Sequence, residues 1–352
     1  MSTLDDFFDN DDFIEKDTYI EESILSLKEL INQWINDNCQ IDGSYHINDD
    51  HTIDVKGSIS ISTDESKLPK YIQFNNVSGD FDCCYCSSLE SLKGVPKDVG
   101  GDFYCCNCDS LKNLEHAPKY VDGRFNCSNC MSLESLKGVP KILSDDFNCS
   151  YCDSLKNLAY APKRVDGNFD CCHCNFLESL DGVPENVGGD FKCCHCDSLK
   201  SLKGAPKNVG GDFDCCHCNF LESLEGAPKN VGGDFDCSYC DSLKNLVHAP
   251  ERVGGNFKCS DCSSLESLEG APKVVGGDFD CNSCNLLKNL EHAPEKVEDN
   301  FNCRDCKSLE SLEGAPNEVA GDFYCSGCDS LRSLVFVPKV KGNIICPGRL
   351  LK

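Results

Sequence analysis

Cysteine is the residue type in this sequence with the most chemistry to offer. The chain has 352 residues and 31 Cys, and twelve C-x-x-C pairs run from Cys83 and Cys86 to Cys325 and Cys328. Pairs of this kind with about 15 to 20 residues between them are typical of zinc sites with four Cys ligands. Such thiols can equally form disulfides or pack as small apolar side chains. All three interpretations stay open, and packing is favoured because the first Cys of each pair alternates with a Phe, as core residues do.

Three consecutive pairs differ from the others, because they have the form C-C-H-C. Thiolate and imidazole are preferred ligands of zinc and of softer metals. Tyr occupies the His position in three other copies. When the copies stack, these side chains form a stripe of rings along one edge, which is suited to binding a protein. Two of the three copies share the run FDCCHCNFLES, so recent duplication is the simpler explanation. The candidate metal ligands are Cys172, His173, Cys194, His195, Cys216 and His217, and the candidate binding residues are Tyr85, Tyr151, His173, His195, His217 and Tyr239.

These pairs belong to a tandem repeat of 22 residues. Phe recurs at this spacing in twelve copies, from Phe81 to Phe323, within the pattern V-G-G-D-F-x-C-x-x-C-x-x-L-x-x-L-x-x-A-P-x-x. One such unit is too short to bury its own apolar residues, but a stack of units can bury them in a continuous core. The predicted core residues, taken from the first copy and a central one, are Phe81, Cys83, Cys86, Phe213, Cys215 and Cys218.

The pattern within one unit predicts the path of a coil. Alternation in D-F-x-C indicates a short strand, while Gly-Gly before it and Pro after the second Leu indicate turns. A coil that returns to the same strand every 22 residues must stack its strands in parallel. We therefore predict a repeat solenoid, a parallel β-solenoid of twelve or thirteen rungs with an N-terminal cap.

The runs GDFDC and L-x-S-L-x-G-x-P-x-x-V resemble the short leucine-rich-repeat-like proteins of large DNA viruses and large phages. The resemblance covers roughly residues 55–346 and implies a virus-encoded, intracellular protein of the host cytoplasm or the virion. The general pattern L-x-x-L-x-L-x-x-N-x-L fits less well, because Cys stands where the Asn of the usual internal ladder would be. A β-helix with two or three strands per coil is the structural alternative.

The residue between the two Leu positions alternates in charge from copy to copy. If the rungs stack in register, each acid should lie about 5 Å from a base on either side and oppose a slip of one rung. Duplication of a 44-residue pair explains the alternation equally well. This predicted charge ladder consists of Glu90, Lys112, Glu134, Lys156, Glu178, Lys200, Glu222, Lys244, Glu266, Lys288, Glu310 and Arg332.

The N-terminal part does not follow the repeat. Residues 1–17 are acidic, which predicts a disordered tail. Thr18 and Glu21 form a predicted capping box before an amphipathic helix of about twenty residues. Tyr45–Ile61 predicts a hairpin that leads into the first rung. We therefore divide the chain into the tail, a cap over 18–54, a solenoid over 55–346 and a C-terminal tail over 347–352.

Composition limits the classes of function. A net charge of −26 argues against nucleic acid as a partner, because such binding depends on dense Lys and Arg. The sequence shows neither a signal peptide nor an apolar run long enough to span a membrane. No phosphate loop or nucleophile motif stands out. We expect a non-enzymatic scaffold that has no cofactor and binds a protein partner. Because the chain is acidic, we expect this partner to be basic. The alternatives are a Cys-rich protein that binds zinc or buffers thiols, and a structural component that associates with itself.

Overall fold

The computed structural model describes residues 25–350, and the chain forms a parallel β-solenoid in which each repeat is one coil. Each coil contributes two strands of two residues, one ending at the Val position and one beginning at the Phe. Each coil of the solenoid therefore has two strands. Gly-Gly separates them in six coils, and a Cβ at Gly232 would come within 2.0 Å of the Gly210 carbonyl oxygen. Successive coils therefore approach most closely where both have Gly in this turn.

The strands at the Val position, with the longer first one, are β3 (Phe74–Val77), β5 (Asp98–Val99), β7 (Tyr120–Val121), β9 (Ile142–Leu143), β11 (Arg164–Val165), β13 (Asn186–Val187), β15 (Asn208–Val209), β17 (Asn230–Val231), β19 (Arg252–Val253), β21 (Val274–Val275), β23 (Lys296–Val297), β25 (Glu318–Val319) and β27 (Lys339–Val340). The strands at the Phe position are β4 (Phe81–Asp82), β6 (Phe103–Tyr104), β8 (Phe125–Asn126), β10 (Phe147–Asn148), β12 (Phe169–Asp170), β14 (Phe191–Lys192), β16 (Phe213–Asp214), β18 (Phe235–Asp236), β20 (Phe257–Lys258), β22 (Phe279–Asp280), β24 (Phe301–Asn302), β26 (Phe323–Tyr324) and β28 (Ile344–Ile345).

Successive Phe strands pair in parallel and in exact repeat register, so that Phe213 lies opposite Phe191 on one side and Phe235 on the other. The rings of Phe213 and Phe235 are stacked with their centroids 5.4 Å apart. The Phe213 N–H donates to the Asp234 carbonyl of the next coil at 2.8 Å. All twelve Phe of the repeat are fully buried. This column is the apolar centre of the solenoid.

The second Cys of every pair makes the same hydrogen bond to the preceding coil. Its thiol donates to the backbone carbonyl 25 residues earlier, as Cys218 does to Cys193 at 3.2 Å. In eleven coils this carbonyl belongs to the first Cys of the preceding pair, and in the first coil Cys86 uses Ile61. Both Cys of all twelve pairs are buried. The thiol thus satisfies a buried carbonyl that would otherwise lose its hydrogen bond.

A column of Asp and Asn outside the core reinforces the register. The side chain before the Phe accepts the backbone N–H of its counterpart one coil later, as Asp212 does from Asp234 at 2.8 Å. Arg124 interrupts this column, and the Asp146 N–H donates to the side chain of Asp145 instead. The ladder therefore depends on a short side chain with an acceptor oxygen.

The N-terminal end of the stack is closed by α1 (Leu27–Asn38) and a hairpin of β1 (Cys39–Ile47) and β2 (Ile53–Ile61). Strand β2 begins at Ile53 and therefore crosses the predicted boundary between the cap and the solenoid at residues 54 and 55. It also pairs with β4 of the first repeat. From α1, Ile31, Trp34 and Ile35 are buried against the solenoid core.

The start of this helix differs from the prediction. Ser26 is a non-helical N-cap that forms the capping box with Glu29, so the predicted helix does not run through residues 25 and 26. Thr18 and Glu21 lie outside the described residues, as do the predicted tail over 1–17 and residues 351–352. Within residues 25–350, no helix is long and apolar enough to cross a membrane.

The C-terminal end is closed by one side chain. After β28 a short 3-10 turn spans Gly348–Leu350. The Arg349 guanidinium donates to the backbone carbonyls of Cys328, Asp329 and Leu331 at 2.7 to 3.0 Å. A cationic side chain thus supplies hydrogen bonds to three carbonyls of the last full coil.

The predicted charge ladder is in register in the backbone but not in the side chains. The Glu222 N–H donates to the Lys200 carbonyl at 3.0 Å, so the two positions are neighbours. Within the described residues, however, Arg332 and Glu310 form the one ion pair between ladder positions, at 3.0 Å. The ladder positions thus alternate between neighbouring coils as expected, although close ion pairs are not general along the ladder. Long exposed side chains gain little from such pairs in water, and the cost of ordering them is similar in size.

We predict that the second Cys stabilises the coil through its hydrogen bond as well as its volume. Cys218→Ser keeps a donor for the Cys193 carbonyl, whereas Cys218→Val fills the space and leaves that carbonyl unsatisfied at a cost of about 1–3 kcal/mol. Chemical unfolding under reducing conditions should therefore give a lower midpoint for the Val variant than for the Ser variant. Cys346→Val, at a half-buried position, is the control. A Val variant as stable as the wild type would show that the thiol acts by volume alone.

Candidate functional site

The most distinctive surface feature is a stack of five rings on the turn after the Phe strands. Tyr151, His173, His195, His217 and Tyr239 lie on consecutive coils, with centroids 4.2 to 4.4 Å apart and ring planes within 9° of parallel. We call these five residues the ring stripe. At a strand spacing of ~4.8 Å it is roughly 19 Å long. Because each ring is fixed to its own coil, the stripe is as rigid as the stack that carries it.

The backbone at this position is left-handed in every repeat. The φ angles of the five stripe residues lie between 53° and 57°. Asn107 and Asn129 occupy the same position in earlier coils, and Asn tolerates this conformation well. His is also found there more often than most residues, whereas a bulky Tyr costs on the order of 1 kcal/mol or more. Tyr151 and Tyr239 therefore stand where smaller residues would fit with less strain. Such strain is common at sites selected for binding.

The surroundings of the stripe are acidic and partly apolar. Burial and the two neighbouring imidazoles lower the pKa of His195, against the opposing effect of Asp197 and Asp214. At the end of the stripe, Asp261 raises the pKa of the Tyr239 hydroxyl. Phe176 and Phe220 lie three residues after His173 and His217 and are 61% and 60% exposed. Negative charge and exposed aromatic area thus occur in the same coils.

One predicted binding residue lies apart from the others. Tyr85 is 77% exposed and occupies the same repeat position, but Asn107 and Asn129 separate it from Tyr151. A second surface, a groove beside the Val strands lined by Asn208, Val231 and Arg252, contains neither Cys nor His. The ring stripe is therefore the surface on which the sequence-predicted binding residues come together.

A column of thiols lies beside the ring stripe on the same turns. The Cys194 N–H donates to the Cys172 sulfur at 3.2 Å, and the Cys216 N–H donates to Asp214 at 3.0 Å. Ligand atoms of Cys194, Asp214 and Cys216 all lie within 4.8 Å of one another. The hydrogen bond with Cys172, together with burial and Asp214, raises the pKa of Cys194 against the opposing hydrogen bond with Cys216; the hydrogen bond with Cys194, burial and Asp214 raise the pKa of Cys216. These two are consequently neutral thiols at pH 7.

This group differs from the predicted metal ligands in its members. Among the described residues, the potential metal cluster contains neither Cys172 nor any of His173, His195 and His217. The imidazoles stack on one another instead, which directs their rings along the stripe. Cys172 is 6% exposed and serves as a hydrogen-bond acceptor. Asp214 takes the place that the prediction gave to imidazole.

The same repeat position carries a disulfide elsewhere in the chain. Cys84 and Cys106 are joined across adjacent coils, with their Cα atoms 4.5 Å apart. The C-x-x-C thiols form no disulfide, and burial raises the pKa of core members such as Cys215. The three interpretations of the cysteines thus apply to different positions: packing in the C-x-x-C pairs, a disulfide at one end, and a potential metal cluster in the middle.

Comparison with known proteins gives one weak structural match. No protein-family model and no curated protein matches the sequence. Among solved structures, a leucine-rich repeat protein from Bacteroides ovatus is similar, with 15% identity and a TM-score of 0.34, over 86% of this chain and 99% of the other. The solenoid itself is defined by the parallel pairing of its coils.

Sequence reasoning missed two parts of this surface. Asp214 lies two residues before Cys216 and one coil after Cys194, so its role is visible only once coils are aligned in register. Phe176 and Phe220 stand where most copies have Ser, and this departure from the repeat was the available signal. Both are found by comparing each repeat position across coils.

We predict that few thiols react while the protein is folded. Of the 29 cysteines outside the disulfide, Cys39, Cys194, Cys216 and Cys346 are half-buried and the rest are buried. Buried thiols with a raised pKa form little thiolate and are poor nucleophiles. A thiol reagent should modify at most four groups in the folded chain and 29 after unfolding without reductant. Cys346→Ser should remove one accessible thiol and Cys218→Ser none. Uniform reaction of most thiols would contradict the buried columns.

Proposed function

We propose that this protein is a non-enzymatic scaffold that binds a basic protein segment along the ring stripe. The observation that carries the proposal is the stack of five exposed or half-buried rings from Tyr151 to Tyr239 on a rigid solenoid. Aromatic side chains are enriched among the residues that contribute most to protein binding, and a preformed surface loses little entropy on association. Solenoids offer such continuous faces.

Charge supports the choice of a basic partner. The chain carries a net charge of −26, and Asp197, Asp214 and Asp261 act on the stripe residues. Lys and Arg side chains can lie over the faces of Tyr rings, where a cation–π contact contributes about 0.5–2 kcal/mol. Acidic neighbours would attract the same cations and speed their approach. A basic extended segment with an aromatic or Arg anchor is therefore the partner that this surface fits.

The proposed setting is intracellular, in the host cytoplasm or the virion of a large DNA virus. The support is the resemblance of the repeat to such proteins. Mass spectrometry of purified particles and of the infected-cell cytosol tests this. Detection in the secreted fraction alone would contradict it.

The partner chemistry can be tested with a displayed library of random peptides. We expect selection on the immobilised protein to enrich Lys and Arg. In a variant with Tyr151→Asn, His173→Asn, His195→Asn, His217→Asn and Tyr239→Asn, the selected peptides should bind at least about thirtyfold more weakly, since a central binding residue contributes about 2 kcal/mol or more. Binding to the wild type should also weaken with added salt.

The Asn substitutions are matched to the fold, because Asn107 and Asn129 already occupy this position with the same left-handed backbone. Tyr160→Asn is the control, since Tyr160 is an exposed aromatic residue with positive φ outside the stripe. Peptides that bind the five-fold variant as tightly as the wild type, or that are enriched in acidic residues, would refute the proposal.

A further inference from the structure

Two neighbouring coils bring together two Cys and one Asp, at Cys194, Asp214 and Cys216. This combination occurs in no other pair of neighbouring coils of the repeat. Five coils have Cys directly after the first Cys of the pair, at Cys84, Cys106, Cys172, Cys194 and Cys216. For a site between coils, the next coil must supply both an acid before its Cys-Cys and a second Cys at this position. Cys84 is followed by Tyr104 and Cys172 by Lys192, while Cys106 and Cys216 are followed by Ser at the second position. Cys194 alone is followed by Asp214 and Cys216.

The geometry of this group fits a small cation. The Cys194 sulfur, an Asp214 oxygen and the Cys216 sulfur all lie within 4.8 Å of one another. Two sulfur ligands of a tetrahedral zinc ion, each about 2.3 Å from the metal, are separated by about 3.8 Å. The ligands therefore have to approach by about 1 Å at most, which side-chain rotation can supply. All three residues are half-buried, so an ion can reach them from solvent, unlike the thiols of the core.

The local charges also favour a cation at this point. Lys192 occupies the Asp214 position one coil earlier, but its ammonium pairs with Asp190 at 3.3 Å. Asp214 accepts the Cys216 N–H, which holds its carboxylate in the same turn as the thiol. Neither thiol carries a charge without a metal, because the thiol one coil earlier, burial and Asp214 raise the pKa of Cys194 and of Cys216. A bound cation would supply the compensating charge.

We propose that Cys194, Asp214 and Cys216 form a binding site for one thiophilic divalent cation of the zinc group. On binding, the two thiols release their protons to solvent, two metal–sulfur bonds and one metal–oxygen bond form, and a fourth position stays open to water. Open sites of this kind are typical of exchangeable or reactive metals rather than structural ones. The site does not depend on the proposed partner binding, because its two thiols are not part of the ring stripe and Asp214 is the one residue that serves both.

Cadmium chloride is the probe, because cadmium–thiolate bonds produce an ultraviolet charge-transfer band that follows binding directly. We expect the full-length chain, with its Cys84–Cys106 disulfide intact, to bind one Cd²⁺ through thiolates, with two protons released and with weaker binding as the pH falls. Zn²⁺ should displace it. Cys194→Ser and Cys216→Ser should each abolish the thiolate band of this ion, and Asp214→Asn should weaken binding.

The Ser substitutions are matched to the fold, because Ser128, Ser150, Ser238 and Ser260 occupy the same position in other coils. Unchanged chemical unfolding midpoints of the variants show that they fold. Cys172→Ser and Cys346→Ser are the controls and should retain one Cd²⁺. The proposal is overturned if the Cys194→Ser, Cys216→Ser double variant binds as much Cd²⁺ as the wild type, or if Cys172→Ser abolishes binding while Cys216→Ser does not. The variant with Asn at the five ring-stripe positions should still bind one Cd²⁺. The metal site and the proposed partner binding are therefore tested separately, because this variant removes the second and keeps the first.

Discussion

Hydrogen bonding between successive coils is the constraint on which the whole molecule depends. A coil of 22 residues has two dipeptide strands and many turns, so few of its backbone groups can find partners within the same coil. Its neighbours supply them: the N–H groups of Phe213, Cys215 and His217 all donate to carbonyls one coil later. Buried polar groups without partners are costly. Stacking in strict register is therefore a condition of folding, and each coil is stable only between two others.

The same constraint explains why cysteine is so frequent. A buried carbonyl at the first Cys of each pair faces the following coil, where a side chain must fill a small apolar space and donate one hydrogen bond. A thiol meets both needs, as the contact from Cys218 to Cys193 shows. Larger apolar residues could fill the space but could not donate. The density of Cys in the core thus follows from packing and hydrogen bonding, and neither metal nor oxidation is required there.

How far the sequence predicts this structure varies with the kind of residue. The Phe column and the parallel register follow directly from a 22-residue spacing without slippage, because one register alone buries every Phe. The charge ladder could not be predicted as ion pairs, since exposed Lys and Glu have many conformations of similar free energy. The helix start was placed too early because Thr18 with Glu21 and Ser26 with Glu29 both fit a capping box, and local sequence does not rank them. Asp214 was missed because its partners lie in a different coil.

Regular stacking also determines where a new site can arise. A substitution in the Phe or Cys columns disturbs two neighbouring coils, whereas the turn residue at His195 contributes its backbone to the ladder and leaves its side chain partly in solvent. That position can change freely as long as the residue accepts a left-handed backbone. A change repeated in adjacent coils becomes a column about 4.8 Å in spacing without any further adjustment. Duplication of a C-C-H-C unit therefore produces aligned rings and aligned thiols together. A single acid in the right coil, Asp214, then distinguishes one pair of thiols from all the others.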